Sequence, residues 1–381
     1  MERTVVIKLA VVVILVFCQV ESSQGKCEYP AIFNFGDSNS DTGGFYAAFP
    51  SESPPYGMTF FHKPSGRASD GRLVVDFIAQ AFGLPFLSPY LQSLGSDFRH
   101  GANYASDAGT VLQPNTSLYV TGISPFYLAV QFNQMKDFKV RALDLLSKGK
   151  HFDYLPTTDV FSKALYFLDI GQNDFTSQLG WIGIEGVKKF LPEVASQIGE
   201  TVKELYALGA RTIFVANLAP IGCFPAFLTE LAHNNSDLDT YGCMISYNDA
   251  VLYYNNLLKE KLEEVRKVIP DASVVYVDSH AVKLEIYTNP KKHGFLYGTK
   301  ACCGTGGEYN FNQQFFCSQK TKINGTDFTA PVCSDPSSYV SWDGIHNTEA
   351  ANLYIAKEIL SGKYFQPQFP LNTLCDLQPI G

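Results

Sequence analysis

Short, almost unbroken apolar runs alternate along the chain with longer stretches in which apolar residues recur every three or four positions. Ala31–Phe35 (AIFNF), Ala164–Ile170 (ALYFLDI), Thr212–Asn217 (TIFVAN) and Ser273–Asp278 (SVVYVD) are runs of the first kind. Their length and their lack of a polar face predict strands buried on both sides. Phe98–Thr110 (FRHGANYASDAGT) predicts a further short strand that ends in small residues. The longer stretches predict helices. Asp70 caps one from about Gly71 to Phe82, with Leu73, Phe77 and Ala81 on one face and Gly83 and Pro85 as its stop. Helical spacing returns between about Pro125 and Lys148, over Val187–Leu208 with Gly209 as its stop, over Tyr247–Val268, and over Thr348–Leu360. Phe45–Ser69, rich in proline and aromatic residues, reads as irregular structure. The alternation predicts an α/β fold, one domain over 26–381 around a central parallel sheet, since no repeat or low-complexity linker divides it. In such sheets the chemistry gathers at the C-terminal ends of strands.

Composition narrows the class. With 46% hydrophobic and 17% charged residues in 381, the chain is globular and long enough to bury a sizeable core. A formal net charge of −8, with no Lys/Arg cluster, argues against a nucleic-acid partner or an anionic membrane surface. Arg3 and Lys8, then apolar Leu9–Cys18, then polar Glu21–Gly25 have the layout of a secretory signal over 1–25, cleaved before Lys26. That apolar run is about half of what a membrane span needs, so no stable membrane insertion is expected. Of nine cysteines the signal takes Cys18 and leaves eight, four of them between Cys302 and Cys333. An even number in an exported chain points to disulfides, and the stretch around 300–335 reads as a disulfide-tied insertion whose pairing stays open. Zinc is disfavoured there, because no Cys-x-x-Cys pair and no spaced histidines are present. Asn115, Asn234 and Asn324 open Asn-x-Ser/Thr sequons and are candidate glycosylation sites.

The first strand runs straight into Gly36-Asp37-Ser38. A serine on a tight turn after a buried strand is both rigid and reachable, as a nucleophile must be. Ser38 needs a base, and the base needs an orienting partner. His346 stands three residues after Asp343 with Gly344 between them, so one turn of chain can fold the carboxylate onto the imidazole. His280, near Asp278, is the rival base. A tetrahedral intermediate also needs hydrogen-bond donors for its oxyanion. The backbone N–H of Ser38, a backbone N–H in the Asp107–Gly109 turn and the side-chain amide of Asn173 could supply them, each following a predicted strand. No Gly-x-Ser-x-Gly elbow, P-loop or dinucleotide motif competes, and nothing singles out a catalytic carboxylate pair among 37 acidic residues.

Phe35-Gly36-Asp37-Ser38-Asn39-Ser40-Asp41-Thr42-Gly43, Gly171-Gln172-Asn173-Asp174 and Asp343-Gly344-Ile345-His346 resemble the first, third and last sequence blocks of the plant GDSL-type esterase/lipase family, within the SGNH hydrolases. The intervening stretch GRASDGRLVVDFIAQAFGLPFLSPYL matches it too, so the resemblance spans about the whole mature chain and runs closest to early-nodulin-like and acetylesterase-like members. It implies a three-layer α/β/α fold resembling flavodoxin, Ser38 as nucleophile with Asp343 and His346 as partners, and an oxyanion hole of Ser38, the second block and Asn173. It implies no cofactor and no metal. Two positions depart from the family pattern. Asn39 stands where the family name has leucine, and the glycine expected in the second block falls on Asp107, Ala108 or Gly109, of which Gly109 is taken as the donor. The expected protein is a secreted serine esterase of the apoplast or cell wall acting on short, mainly acetyl, esters of small molecules or polysaccharides. A lipase for long-chain esters and a non-catalytic carbohydrate-binding protein on the same scaffold are the alternatives.

Overall fold

In the computed structural model, which describes residues 28–50, 52–114, 124–149, 152–323 and 325–381, the apolar runs lie side by side. The expected signal segment, Cys27, Asn115 and Asn324 lie outside the described residues. Strands β1 (Ile32–Gly36), β2 (Gly101–Asn103), β3 (Leu165–Asp169), β4 (Thr212–Ala216) and β5 (Ser273–Val277) are all parallel, in the spatial order β2-β1-β3-β4-β5. Their side chains are buried almost without exception, as a parallel sheet covered on both faces requires. Among the described residues five further strands follow: β6 (Tyr297–Ala301), β7 (Lys320–Ile323), β8 (Thr326–Thr329), β9 (Tyr339–Ser341) and β10 (Phe365–Gln366). β10 pairs antiparallel with β5 and closes that edge of the sheet.

The helices that matter for the site are α1 (Val74–Ala81), α2 (Leu128–Ser147), α3 (Gln172–Thr176), α4 (Leu191–Ala207), α5 (Ile245–Val268), α6 (Ser279–Thr288) and α7 (Glu349–Leu360). α4 packs on both α2 and α5, and α7 packs on both α1 and α6, giving three α/β/α layers. The strand order has its reversal between β1 and β3, where the crevice of a doubly wound sheet opens for ligands. Ser38 follows β1 and Asn173 follows β3, so both stand at that point.

Two local expectations are corrected, and one strand is added. The helix foreseen over Val187–Leu208 is two, Leu179–Lys188 and then α4, because Pro192 occupies the first turn of α4, where its missing N–H leaves no bond unmade. Asp70 does not cap α1; its carboxylate accepts the backbone N–H of Glu349 at 2.7 Å, and Asp76 reaches back to the Leu73 N–H at 2.9 Å instead. β10, only two residues long, is absent from the strands the pattern predicts because it has no period to detect.

The insertion is tied by disulfides Cys302–Cys333 and Cys303–Cys317, and a third joins Cys223 to Cys243. β6 pairs with β9, and β7 with β8 as a hairpin. The adjacent cysteines also donate their backbone N–H groups to the end of β9 and the residue after it, Cys302 to the Ser341 carbonyl at 3.0 Å and Cys303 to the Trp342 carbonyl at 2.7 Å. The insertion is thereby fastened directly to the residues that precede Asp343.

Candidate active site

β1 is buried down to Gly36, and the chain then makes a single helical turn, with Ser40 N–H and Asp41 N–H donating to the Asp37 carbonyl at 3.1 and 2.9 Å. Only glycine fits at Gly36, where a Cβ would lie 2.2 Å from Ser40 Oγ and 2.6 Å from the Asp169 carbonyl oxygen. The end of the strand is clamped from α2: the Gln131 side-chain amide accepts from Gly36 N–H at 2.9 Å and donates to its carbonyl at 2.8 Å. Beneath the turn, Asn34 and Asn103 bond to each other at 2.8 Å, and each donates to the Ser40 carbonyl. A turn held from three sides presents Ser38 in one geometry.

Ser38 Oγ lies 2.8 Å from His346 Nε2, and His346 Nδ1 lies 2.7 Å from Asp343 Oδ2. With Nδ1–H donated to the carboxylate, Nε2 accepts from the serine hydroxyl. Asp343 Oδ1 accepts the backbone N–H groups of Ile345 and His346 at 3.0 and 2.9 Å, which folds the Asp-Gly-Ile-His segment back on itself. Gly344 makes that turn at φ 101°, a conformation closed to most side chains. Oδ2 accepts a further hydrogen bond from the Tyr56 hydroxyl at 2.8 Å. Burial opposes the Asp343 charge, but His346 and the converging N–H donors outweigh it and hold the carboxyl below its usual range. Burial also opposes an imidazolium, yet the Asp343 charge, reinforced by Asp107 and Asp37, pushes His346 up to about 9.

The rival His280 is not part of this arrangement. It sits at the start of α6, where its backbone N–H donates to Asn217 Oδ1 at 2.7 Å and burial pushes its ring pKa down.

The oxyanion expectation changes at one position. Gly109 N–H donates to the Ser106 carbonyl at 2.9 Å, so it is already taken. Asp107 N–H is taken as well, by Asp41 Oδ2 at 2.9 Å. Among the described residues, the N–H groups of Ser38 and Ala108 have no acceptor. Ala108 stands at φ 56°, and its unpaired N–H, rather than that of Gly109, is the candidate donor of that turn. Asn173 Nδ2 gives one hydrogen to the Gly109 carbonyl at 2.9 Å, which fixes the amide and leaves its second hydrogen to donate.

Two aspartates of the quoted motifs have roles that residue type alone does not announce. Asp41 accepts four backbone N–H groups, from Gly43, Gly44, Phe45 and Asp107, and so pins the nucleophile loop to the oxyanion turn. Asp174 accepts from Val111 and Leu112 at 2.7 and 3.0 Å and pins the same turn to α3. Asn39 donates twice to Asp37 Oδ1 and once to Gln172 Oε1, a polar tether where the family pattern has leucine. The Asp107 carboxyl is pushed up to about 7 by burial and by the charge of Asp41, so at neutral pH much of it is uncharged beside the oxyanion turn. Of the sequons, Asn234 is exposed and its side-chain oxygen accepts the Ser236 N–H at 3.0 Å.

A family model described as GDSL-like lipase/acylhydrolase matches residues 32–359. A GDSL esterase/lipase of Arabidopsis thaliana is 56% identical over 366 residues, 96% of this chain and 96% of its own. An esterase of Hevea brasiliensis is 45% identical over 352 residues, 92% of this chain and 90% of its own. The GDSL esterase/lipase ENOD8 of Medicago truncatula is 43% identical over 375 residues, 97% of this chain and 96% of its own.

Proposed function

This chain belongs to the GDSL-like lipase/acylhydrolase family and is a serine carboxylic ester hydrolase, and on that premise we propose that it deacylates short-chain esters through an acyl-Ser38 intermediate. The observation that carries the assignment is the continuous line Ser38 Oγ–His346 Nε2 and His346 Nδ1–Asp343 Oδ2, at 2.8 and 2.7 Å. His346 takes the hydroxyl proton as Ser38 Oγ attacks the ester carbonyl carbon. The oxyanion then lies among the N–H groups of Ser38 and Ala108 and the Asn173 amide. Collapse expels the alcohol, which leaves with the proton from His346. Water, deprotonated by the same imidazole, attacks the acyl-enzyme and frees the acid and Ser38.

The surroundings favour a polar substrate. The half-buried amides of Asn39 and Asn173 flank the proposed nucleophile and oxyanion turn, and a long acyl chain laid over them would desolvate polar groups it cannot bond. Acetyl esters of glycosylated small molecules or of polysaccharides suit such a border. Assay of p-nitrophenyl acetate, butyrate and palmitate tests this: kcat/KM is expected to fall steeply with chain length. Equal or rising turnover of palmitate would move the assignment to a lipase, and no turnover of any ester by folded protein would favour a binding protein.

The pH profile has a definite sign. Only neutral imidazole accepts the serine proton, and His346 is pushed up to about 9. kcat/KM for a neutral ester is therefore expected to climb from pH 6 into the alkaline range, up to tenfold per unit, and to level off near pH 9. A profile flat over pH 6–9 would contradict the role given to His346.

The layout of residues 1–25 supports secretion to the apoplast or cell wall, as does a catalytic segment braced by disulfides. Among the described residues no helix is long and apolar enough to cross a membrane.

A further inference from the structure

We infer that Tyr56 is a positioning residue for the reaction, a fourth member of the line that runs from Ser38 through His346 to Asp343. The inference rests on the catalytic roles proposed above. Tyr56 Oη donates to Asp343 Oδ2 at 2.8 Å, and that is the oxygen which also accepts His346 Nδ1 at 2.7 Å. Oδ1 is filled separately by the two backbone N–H groups. Every acceptor direction of the carboxylate is thus defined, and the tyrosine decides where on Oδ2 the imidazole proton can sit.

The ring is built in. It is buried, packs edge-on against Trp342 with centroids 6.0 Å apart, and shares a small apolar cluster with Cys302, Cys303 and Cys317. The segment that carries it is sewn to the segment that carries His346. Ser69 Oγ donates to the Asn347 carbonyl at 2.9 Å, Glu349 N–H donates to Asp70 Oδ1 at 2.7 Å, and Arg72 pairs with Glu349 at 2.6 Å. Gly57 N–H donates to the Ser69 carbonyl at 2.9 Å, so the donor and the loop it restrains are tied through the same residues. Tyr56 stays protonated, because burial and the adjacent Asp343 charge raise its pKa well above the usual phenol value.

The other ionisable groups facing this line are Asp107 and Asp37 towards His346, Tyr287 towards Asp343, and Tyr46 and Glu52 towards Tyr56. None of them donates a hydrogen bond to the Asp343 carboxylate among the described residues.

The Tyr56 bond draws charge from Oδ2, which makes Asp343 a weaker partner for an imidazolium. Tyr56→Phe keeps the ring on Trp342 and removes only the hydroxyl. Full-length secreted protein carrying it is expected to lose about ten- to hundredfold in kcat on p-nitrophenyl acetate with KM unchanged. The alkaline-rising limb of kcat/KM is expected to move to higher pH, because Asp343 then holds the imidazolium more strongly. Replacement of Tyr56 by 3-fluorotyrosine, a stronger donor of nearly the same shape, should move the limb the other way. That second variant decides the matter should Tyr56→Phe fail to fold. Wild-type kcat and an unmoved limb in Tyr56→Phe, or no displacement by fluorotyrosine, would overturn the inference, as would a loss of kcat accompanied only by a lower Tm. Retained activity in a parallel Ser38→Ala sample would instead overturn the catalytic assignment beneath it.

Discussion

Ser38→Ala is expected to lower kcat by about a millionfold while leaving the protein folded. Removing the nucleophile of a serine hydrolase abolishes the covalent route altogether, and what remains is water attack assisted by oxyanion donors. The fold has little stake in the hydroxyl. Its only hydrogen bond among the described residues goes to His346, and the turn is held instead by Gln131, Asn34, Asn103 and Asp41. The thermal midpoint should stay within a few degrees of wild type. Hydrolysis of p-nitrophenyl acetate, with covalent labelling by a fluorophosphonate in parallel, measures both the rate and the presence of an activated serine. Substantial turnover by the alanine variant would remove Ser38 from the reaction.

Asp343→Asn is expected to lower kcat by about 10⁴-fold. The amide oxygen can still accept the two backbone N–H groups that close the Gly344 turn, so the loop should keep its shape. Its NH₂ group would then meet two donors, the Tyr56 hydroxyl and His346 Nδ1–H, where the carboxylate oxygen had accepted both. The imidazole relieves that conflict by shifting its proton to Nε2 and turning a donor towards Ser38, which disables it as a base. The same change removes the largest influence that raises the His346 pKa. Residual activity should therefore level off at lower pH than in the wild-type protein, opposite to the displacement expected for Tyr56→Phe. A kcat within tenfold of wild type, or a limb moved to higher pH, would contradict the role of Asp343.

Much of this site is legible before any coordinates, because its parts are local. A glycine and a serine after an apolar strand, and an aspartate three residues ahead of a histidine, are patterns a short window contains. The buried strands β1, β3, β4 and β5 are legible for a similar reason, since a run apolar on both faces has few other uses. What escaped is what depends on distant partners. Asp70 looks like a cap until Glu349 arrives to use its carboxylate. Tyr56 lies in a stretch with no period at all, and its value comes from a residue 287 positions away. Gly109 was the natural donor by residue type, but donor availability depends on which carbonyl each N–H finds, and Ser106 claims that one. Asp41 and Asp174 stood inside recognised motifs, yet four-fold and two-fold acceptance of backbone N–H groups is a property of folded loops.

The hydrogen bond between Ser38 and His346 spans 308 positions of the chain. Ser38 follows β1 and His346 comes 308 positions later, so the nascent polypeptide carries its proposed nucleophile through all of that synthesis with no base to activate it. β1 takes both β2 and β3 as neighbours, so its pairing is complete only once β3 is made. The hydrolase is therefore expected to stay silent until the segment bearing Asp343 and His346 has been made and has folded against Ser38. A product truncated anywhere ahead of Asp343 is expected to be an inert fragment rather than a weak esterase.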